Sequence, residues 1–430
     1  SVGFHFRAAG YVEVNYFTLQ NCDWGLQFEQ ASANCVISNM LVRDNGSGGI
    51  RLLDSVNNRF SRVVVTRTEG DGVISRASYN NVFDRCVIWS NLASALNAVD
   101  SSMGISNSVL SAEGEGHYCY GLSTNTVLRS DYNDRCISGG AYYGLVNDVP
   151  IEGIPPWTAA TTQDVHSLAV DPLFYDPAAD DYHVRSRTGR YDPSVSGYVT
   201  TDTNISLLVD AGSRLSPWTN EPSPNGSRAN IGLYGNTTQA SKSPTNEWLM
   251  ALTASSGGRL EGIFYLAWNG GGMPSTNTVT LDYSFNNGSS WTNVVRGINI
   301  TNGQYLWNSA EKYGGGTIER WPSSPIGRWR VVMDSNTNVY DVTDSRFALR
   351  NQLFVYYLND GYTNGDVYTT VIGSDTNLGF YPWNPMATLK ALLDVNDIEG
   401  EDIIKIDTGV YPITTNDLAV LGPADQGRAG

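Results

Sequence analysis

Arginine is the only strongly basic side chain in the first part of the chain, where the first lysine is Lys242. Arg62 and Arg85 lie 23 residues apart, at equivalent positions of a repeat. Stacked on one face, they could form a cationic stripe that binds a sugar acid. A solvated polar face is the simpler interpretation, and we favour it.

Carboxylates that cut a glycosidic bond act in pairs, because one protonates the leaving group while the other serves as base or nucleophile. Asp84 has only Ser61 and Ser106 at the equivalent positions of the neighbouring repeats, so no pair forms around it. Asp131 falls at an inward-facing position near Asp134, where it would be a buried acid as the repeat ends. We assign no catalytic residue; enzymatic activity is uncertain, and a non-enzymatic protein is favoured.

Two histidines lie near acidic residues. His117 follows Glu113 and Glu115, which is a weak pattern for a metal or an acid–base pair, and a loop histidine is the favoured interpretation. His166 lies two residues after Asp164, and a structural role is favoured there as well.

Calcium is the best supported ligand hypothesis, because oxygen-rich loops occur late in the chain. These loops contain Asp344, Asn359, Asp360 and Asp366. No EF-hand pattern is present, so the metal ligands stay unassigned and no other cofactor is predicted.

A repeat of 23 residues positions the early side chains. Apolar residues recur at this spacing, with one step of 22, at Val14, Ile37, Phe60, Phe83, Ile105 and Leu128. A second apolar column follows five residues later and runs from Leu19 to Leu110. Short β-branched segments with alternating polarity predict strands. A fixed period of this length predicts stacked rungs, in which each strand pairs in parallel with its equivalent one rung away.

Asparagine precedes most of these apolar positions by three residues. The column contains Asn34, Asn57, Asn80, Ser102 and Asn125. Asparagine tolerates the left-handed backbone conformation, and stacked copies of it form an amide ladder. We therefore expect a buried structural ladder here, rather than a row of sugar or ion ligands.

This coil pattern resembles the right-handed parallel β-helix proteins, the pectate-lyase-like superfamily, over roughly residues 3–240. The resemblance implies regular coils over residues 1–136, then irregular closing coils and a cap up to residue 243. Many proteins of this superfamily cleave acidic polysaccharides, and their lyases use a lysine or arginine base. Since no lysine precedes Lys242, the resemblance implies that a lyase base would be one of four arginines: Arg51, Arg62, Arg85 or Arg129. The coil pattern is specific for the fold but not for the activity.

Composition restricts the partners. The net charge of −16 disfavours nucleic acid and anionic membranes, which require a basic surface. No apolar run is long enough to span a membrane. The five cysteines include Cys86, which shares an inward column with Met40 and Val63 and is expected to be buried. A disulfide between Cys119 and Cys136 is one option that the sequence leaves open.

Two further segments follow the coils. Apolar alternation over residues 244–350 predicts a β-sandwich, which resembles the fibronectin- or immunoglobulin-like modules of bacterial surface proteins. Within it, Ser284–Trp291 resembles an Asp-box hairpin with Asn286 at the usual aspartate position. Residues 351–430 contain a strand, an amphipathic helix near Leu389–Leu393 and the strand Ile403–Ile406. This order resembles the N-terminal cap and first coil of a further β-helix.

Taken together, the sequence predicts an all-β chain: a right-handed parallel β-helix (1–243), a β-sandwich (244–350) and the opening cap of a second β-helix (351–430). Ser1 lies within an ongoing coil, so we expect the natural chain to continue before it. The predicted function is an extracellular or cell-surface structural or adhesive protein, as one segment of a head-to-tail filament or of a long multidomain stalk. The alternative is a polysaccharide-active lyase or hydrolase, or a carbohydrate-binding module. The expected partners are other copies of the chain, neighbouring domains or a polysaccharide.

Overall fold

The computed structural model describes residues 1–123, 125–255, 257–310, 312–314, 317–319, 321–351, 354–396 and 402–411. The chain divides into two compact units. The first contains Ser1–Asn308 and Ile326–Ala348, and the second contains Ser309–Pro325 and Leu349–Gly430. Regular structure is almost entirely β, with a solenoid first and further sheets after it, which confirms the all-β fold class. The three-segment division at residues 243 and 350 stays a prediction.

One side of the solenoid is an eight-stranded sheet, here called the open sheet. Its seven parallel strands are Val2–Arg7, Trp24–Glu29, Gly48–Leu53, Val73–Arg76, Leu96–Val99, Tyr118–Leu122 and Tyr142–Val146, and Val149–Ile151 adds an antiparallel eighth. Leu26 pairs with Ile50, and Ile50 with Val73, at the predicted spacing. The inward side chains of these strands line the solenoid core, and those of the central rungs are fully buried.

The second sheet has ten strands and bends at a corner in each rung. Its strands are Glu13–Asn15, Thr18–Gln20, Val36–Arg43, Arg59–Thr66, Asn81–Asp84, Val87–Trp89, Ser102–Ser106, Val109–Glu113, Val127–Asp131 and Asp134–Ser138. The predicted register holds as far as Ile105. It fails at the last rung, where Ile105 pairs with Ser130 and Leu128 pairs with Met103. That rung is 25 residues long, because it contains a longer turn after Glu113.

The amide ladder exists, but one residue later than predicted. Asn34, Asn57 and Asn80 do adopt the left-handed conformation, each with φ of 57°, yet Asn57 and Asn80 are exposed. The buried ladder is formed by Asn58 and Asn81. The backbone N–H of Cys35 donates to Asn58 Oδ1 at 2.9 Å, and that of Asn58 donates to Asn81 Oδ1 at 3.0 Å. The left-handed residue thus makes the turn, and its neighbour points inward and satisfies the backbone of the next rung.

A buried arginine closes the core. Arg135 pairs with Leu110 in register, so a cation continues the inward column that apolar residues form from Leu19 to Leu110. It is fully buried, lies 3.3 Å from Asp164, and its guanidinium is 3.4 Å from the Tyr143 ring centroid. Helix α1 (Ile154–Thr161) brings Trp157 over the same cation. Electrostatic contact with aromatic faces offsets part of the cost of burying this charge.

The acid buried at this end is Asp134, not Asp131. Asp131 is half-exposed and accepts hydrogen bonds from the backbone and the ring of His166. Asp134 is fully buried. Its side chain lies beneath Val170 and accepts the backbone N–H of that residue at 3.0 Å. Burial raises the pKa of Asp134 to about 8.

Residues 163–170 stack on the last rung as one further coil. Residues 171–243, however, fold back along the solenoid; we call them the lateral cover. They contain the hairpins Phe174–Asp176/Asp181–Val184 and Arg190–Asp192/Gly197–Val199 and the 3₁₀ helix Pro177–Ala179. Their apolar side chains pack on an outward column that contains Val64, Val87 and Val109. Asp180 fastens them to two rungs, through Arg43 at 2.6 Å and Arg67 at 2.8 Å.

Antiparallel sheets follow the cover. One contains Trp248–Ala251, Ile263–Gly271 and Gln304–Asn308. The other contains Arg259–Leu260, Thr278–Ser284, Thr292–Asn299, Ser324–Met333, Tyr340–Val342 and Phe347–Leu349. A 3₁₀ helix spans Ile300–Asn302. The immunoglobulin-like topology stays a prediction. The hairpin turn is confirmed as structural, since Asn286 Oδ1 accepts the backbone N–H of Ser290 at 2.9 Å and Arg330 lies over Trp291.

The second unit contains the order of elements expected for an opening cap. The strands Val355–Leu358 and Ile403–Ile406 pair in parallel, with helix α2 (Leu389–Val395) between them in sequence. Thr388 caps this helix by accepting the N–H of Ala391 at 3.1 Å. The unit also contains the hairpin Lys312–Gly314/Thr317–Glu319. The expected strand start at Leu353 and the segment 412–430 lie outside the described residues.

We predict that Asp134 makes stability fall as the pH rises. Its pKa is about 8 in the folded protein and near 3.8 when exposed, so the native state holds an extra proton between these values. The free energy of unfolding should therefore decrease by up to ~1.4 kcal/mol per pH unit across this window. Asp134→Asn keeps an acceptor for Val170 and removes the titration.

Urea unfolding followed by tryptophan fluorescence between pH 5 and about pH 9 measures this slope. The variant should show a shallower pH dependence than the wild type and be the more stable protein at the alkaline end. Asp54→Asn, at an exposed position, is the matched control. Identical slopes for the wild type and Asp134→Asn would contradict the assignment.

Candidate functional site

The open sheet presents the best-developed polar and aromatic surface of the solenoid. Register places Trp24, Gly48, Asp71, Ser94 and Tyr118 in one column across successive rungs. The second column runs beside it and contains Arg51, Ile74, Asn97 and Gly121. Because neighbouring strands lie about 4.8 Å apart, Trp24 and Tyr118 are separated by about 19 Å along the solenoid axis.

Trp24 lies flat against the sheet because the next rung has a glycine there. A Cβ atom on Gly48 would meet Trp24 Cζ3 at 2.5 Å, so any side chain at this position would displace the ring. Arg51 lies over the same ring, with its guanidinium carbon 5.5 Å from the ring centroid. The indole is held between backbone and guanidinium, which fixes the orientation of one aromatic surface.

Tyr118 has a similar arrangement at the other end of the column. A Cβ on Gly121 would lie 2.2 Å from Tyr118 Cε2, so the phenol ring lies across this glycine. Burial and the charge of Asp71 raise the pKa of Tyr118, which therefore stays a neutral donor and acceptor. Two half-buried rings thus lie on the sheet, one at each end of the column.

Asp71 and Asn97 provide the hydrogen-bonding groups between the rings. Asp71 Oδ1 accepts the backbone N–H of Ser94 at 2.9 Å, and Oδ2 accepts from Asn97 Nδ2 at 3.4 Å. Burial raises the pKa of Asp71, while these hydrogen bonds and the charge of His117 oppose the shift. Both side chains are half-buried and are oriented by the rungs themselves.

Flat aromatic rings flanking fixed polar groups are suited to binding a carbohydrate. The C–H face of a pyranose ring can pack on an indole or a phenol, while its hydroxyl groups exchange hydrogen bonds with carboxylate, amide and guanidinium groups. The length of the column matches an oligosaccharide rather than a single sugar. We call this surface, formed by Trp24, Arg51, Asp71, Asn97 and Tyr118, the open face.

The structure separates the four candidate arginines. Arg51 lies on the open face, and Arg129 is exposed on another strand. Arg62 and Arg85 were expected on a solvated face, but the lateral cover lies over both of them. Arg62 donates to Gly235 O at 2.9 Å, and Arg85 is 5% exposed. Asp84 does lie between Ser61 and Ser106 as predicted, and it binds Arg85 at 2.5 Å.

The remaining candidates have structural contacts. His117 Nδ1 lies 2.6 Å from the backbone oxygen of Glu113. Asp164 is buried and binds Ser130, Ser167 and the Trp157 indole N–H. These contacts hold His117 and Asp164 in the turns that contain them.

Calcium gains no support from the late loops. Asp344 accepts a hydrogen bond from Ser255, and Asp360 accepts the N–H groups of Tyr362 and Val410. Asp366 accepts from Asn359. In the described part of the chain, no group of three or more histidine, cysteine or acidic side chains is arranged to hold a metal.

The five cysteines are free thiols. Cys119 and Cys136 form no disulfide, and burial raises the pKa of Cys136 to about 12. Cys86 is buried as predicted, and burial raises its pKa to about 12 as well. Such thiols are weak nucleophiles, so they add no chemistry to the open face.

Sequence reasoning missed Trp24, Asp71, Asn97 and Tyr118. A signal was present in the glycines, since Gly48 and Gly121 lie within strands of the open sheet. A glycine in a strand often marks the close approach of another group. Here, Gly48 and Gly121 mark the two positions where an aromatic ring lies on the backbone.

Comparison with known proteins supports the fold of the first unit. Residues 2–153 match the family model described as right handed beta helix region. Neither the search of curated proteins nor the search of solved structures returned a match. No helix among the described residues is long and apolar enough to cross a membrane. The family match and the parallel register together identify the N-terminal part of this chain as a right-handed parallel β-helix.

Proposed function

We propose that this chain is part of an extracellular, structural or adhesive surface protein that binds a polysaccharide along the open face. The observation that carries this proposal is a pair of flat aromatic rings on the open sheet. Trp24 lies over Gly48, and Tyr118, four rungs away, lies over Gly121. A rigid aromatic surface loses little conformational entropy when a ligand packs on it, so weak contacts on successive sugars add up.

Binding is better supported than catalysis. Asp71 is the carboxylate of the open face, and a glycosidase needs a second one within reach. The charged groups that act on Asp71 are His117 and Arg76, and neither of them can replace the second carboxylate. A lyase remains the alternative, with Arg51 as its base. The net charge of −16 favours a neutral glycan over a polyanion, because like charges repel across the approach path.

We predict that the full chain binds a polysaccharide without cleaving it. Affinity electrophoresis against cellulose derivatives, xylan, soluble chitin, pectin and alginate should show retardation by at least one neutral glycan. Trp24→Ala and Tyr118→Ala should each weaken binding about tenfold or more, as expected for aromatic anchor residues. Tyr340→Ala, at a site 55% exposed outside the solenoid, is the matched control and should bind normally.

Two results would contradict this proposal. One is the absence of retardation by every glycan. The other is equal retardation of the wild type, Trp24→Ala and Tyr118→Ala. Release of unsaturated sugars or new reducing ends would instead favour the enzyme alternative, and loss of that release in Arg51→Met would support a lyase.

The structural part of the proposal rests on strand edges. Among the described residues, Val2–Arg7 pairs only with Trp24–Glu29, and Ile403–Ile406 pairs only with Val355–Leu358. Each of these parallel edges can take a further rung, because its backbone N–H and C=O groups point outward. The rung can come from adjoining sequence, which gives a stalk, or from another copy. A head-to-tail contact between copies builds a filament when its rotation does not close into a ring.

We predict that purified chains form head-to-tail rows in negative-stain electron microscopy, with row length increasing with concentration. Ile406→Asp should shorten the rows, because Ile406 lies on the strand that would carry the contact and is 48% exposed. Ile263→Asp is the matched control at an exposed apolar site of the first unit. Isolated particles at every concentration would contradict assembly between copies. The multidomain stalk would then be the structural option that remains.

A further inference from the structure

Two arginines meet beneath the lateral cover at the corner of the solenoid. Arg62 and Arg85 occupy the same corner position in consecutive rungs, with φ of 54° and 55°. Gly235 of the cover contacts both of them. Its carbonyl oxygen accepts from Arg62 Nη2 at 2.9 Å, and a Cβ atom on it would lie 3.4 Å from Arg85 Nε. The two guanidinium groups therefore lie close together under one short stretch of backbone.

Three of the six guanidinium nitrogens of this pair are buried without a partner. Arg85 Nη1 is paired with Asp84, but Arg85 Nε, Arg85 Nη2 and Arg62 Nε are buried and have no hydrogen-bond partner in the structure. Arginine keeps its charge at any physiological pH, so it cannot avoid this cost by losing a proton. Buried donors in native proteins are satisfied almost without exception, and a cluster of unsatisfied ones requires an explanation.

Glu221 is the acid that the cover brings to this corner. Its Oε1 accepts the backbone N–H groups of Asn230 and Asn236, at 2.9 Å and 2.7 Å, and its Oε2 is buried without a partner. Burial raises the pKa of Glu221 to about 7; Asp210 adds to the shift and Arg85 opposes it. When protonated, Glu221 becomes another donor, and the corner then has an excess of donors over acceptors.

We propose that Arg62 and Arg85 bind a small monovalent anion, of the size of chloride, beneath the lateral cover. An anion accepts from several donors and donates to none, which matches this inventory better than water does. Asp84 neutralises one guanidinium, so a single negative charge balances the site. The anion connects two solenoid rungs to the cover and thereby stabilises the closed cover. This site is separate from the open face and does not depend on the proposed function.

The test is thermal unfolding of the full chain in sodium salts at constant ionic strength. Chloride or bromide replaces gluconate stepwise, and intrinsic fluorescence reports the midpoint. The midpoint should rise saturably by ~2 °C or more as the anion fills the site. Below pH 7 the effect should be larger, since ionised Glu221 competes for the same donors. The titratable groups that act on Arg62 are Arg85, Asp84, Cys86 and Tyr16, and those that act on Glu221 are Asp210 and Arg85.

Variants and crystals complete the test. Arg62→Met should lose the anion effect, whereas Arg76→Met, at an exposed position of the open sheet, should keep it. Glu221→Gln should keep the effect and lose its pH dependence. If Arg62→Met fails to fold, anomalous diffraction from bromide-soaked wild-type crystals decides, with a peak expected between the two arginines. No anion-specific shift, an unchanged shift in Arg62→Met, or a water or a direct Arg85–Glu221 contact at this position would overturn the proposal.

Discussion

Parallel pairing between rungs at a nearly constant spacing is the constraint on which the rest of this structure depends. Each strand satisfies its backbone on its equivalents above and below, so a change of length in one rung must be absorbed in a turn. The buried side chains of Asn58 and Asn81 satisfy the turns that strand pairing leaves open. Because the register is fixed, side chains far apart in sequence fall into columns, and a column is what gives the open face its linear form.

The two sides of the solenoid differ because their outward columns differ. On the second sheet, Val64, Val87 and Val109 would expose an apolar strip, and the lateral cover buries it. On the open sheet, the outward columns mix aromatic, polar and glycine residues with single apolar ones such as Ile74, so no continuous apolar strip forms there. The same distribution explains why Arg62 and Arg85 are covered while Arg51 is not. These arginines are covered where their position in the rung lies beside the apolar strip.

The repeat predicted the fold because strand pairing depends on backbone spacing, which period analysis measures directly. It predicted the parallel strands and the inward columns as far as Ile105. The opening cap stays a prediction, although Ile403–Ile406 does pair in parallel with Val355–Leu358. The repeat misplaced the last rung, because a longer turn after Glu113 shifts the register by two residues. The ladder was placed one residue early, since both Asn57 and Asn58 are asparagines and only geometry shows which one points inward.

The candidate site could not be predicted in the same way. Trp24, Asp71 and Tyr118 share one surface only because the register aligns them in a column over four rung steps. The flat orientation of the two rings depends on Gly48 and Gly121. The arginines were misjudged because the segment that covers them lies more than a hundred residues later in the chain. Long-range packing of this kind leaves no local period. The consecutive apolar residues Val63, Val64 and Val65 were its one local sign, since a strand buried on both faces has no alternation.

The central claim is that the open face binds a glycan along the rungs. The most direct measurement is a crystal structure of the chain with an oligosaccharide of the polysaccharide that it binds. The account predicts density that runs across successive strands from Trp24 to Tyr118, with hydroxyl groups contacting Asp71 and Asn97. An oligosaccharide bound only elsewhere would contradict the account. One such place is the exposed Tyr381–Trp383 pair of the second unit, whose rings stack at 4.8 Å.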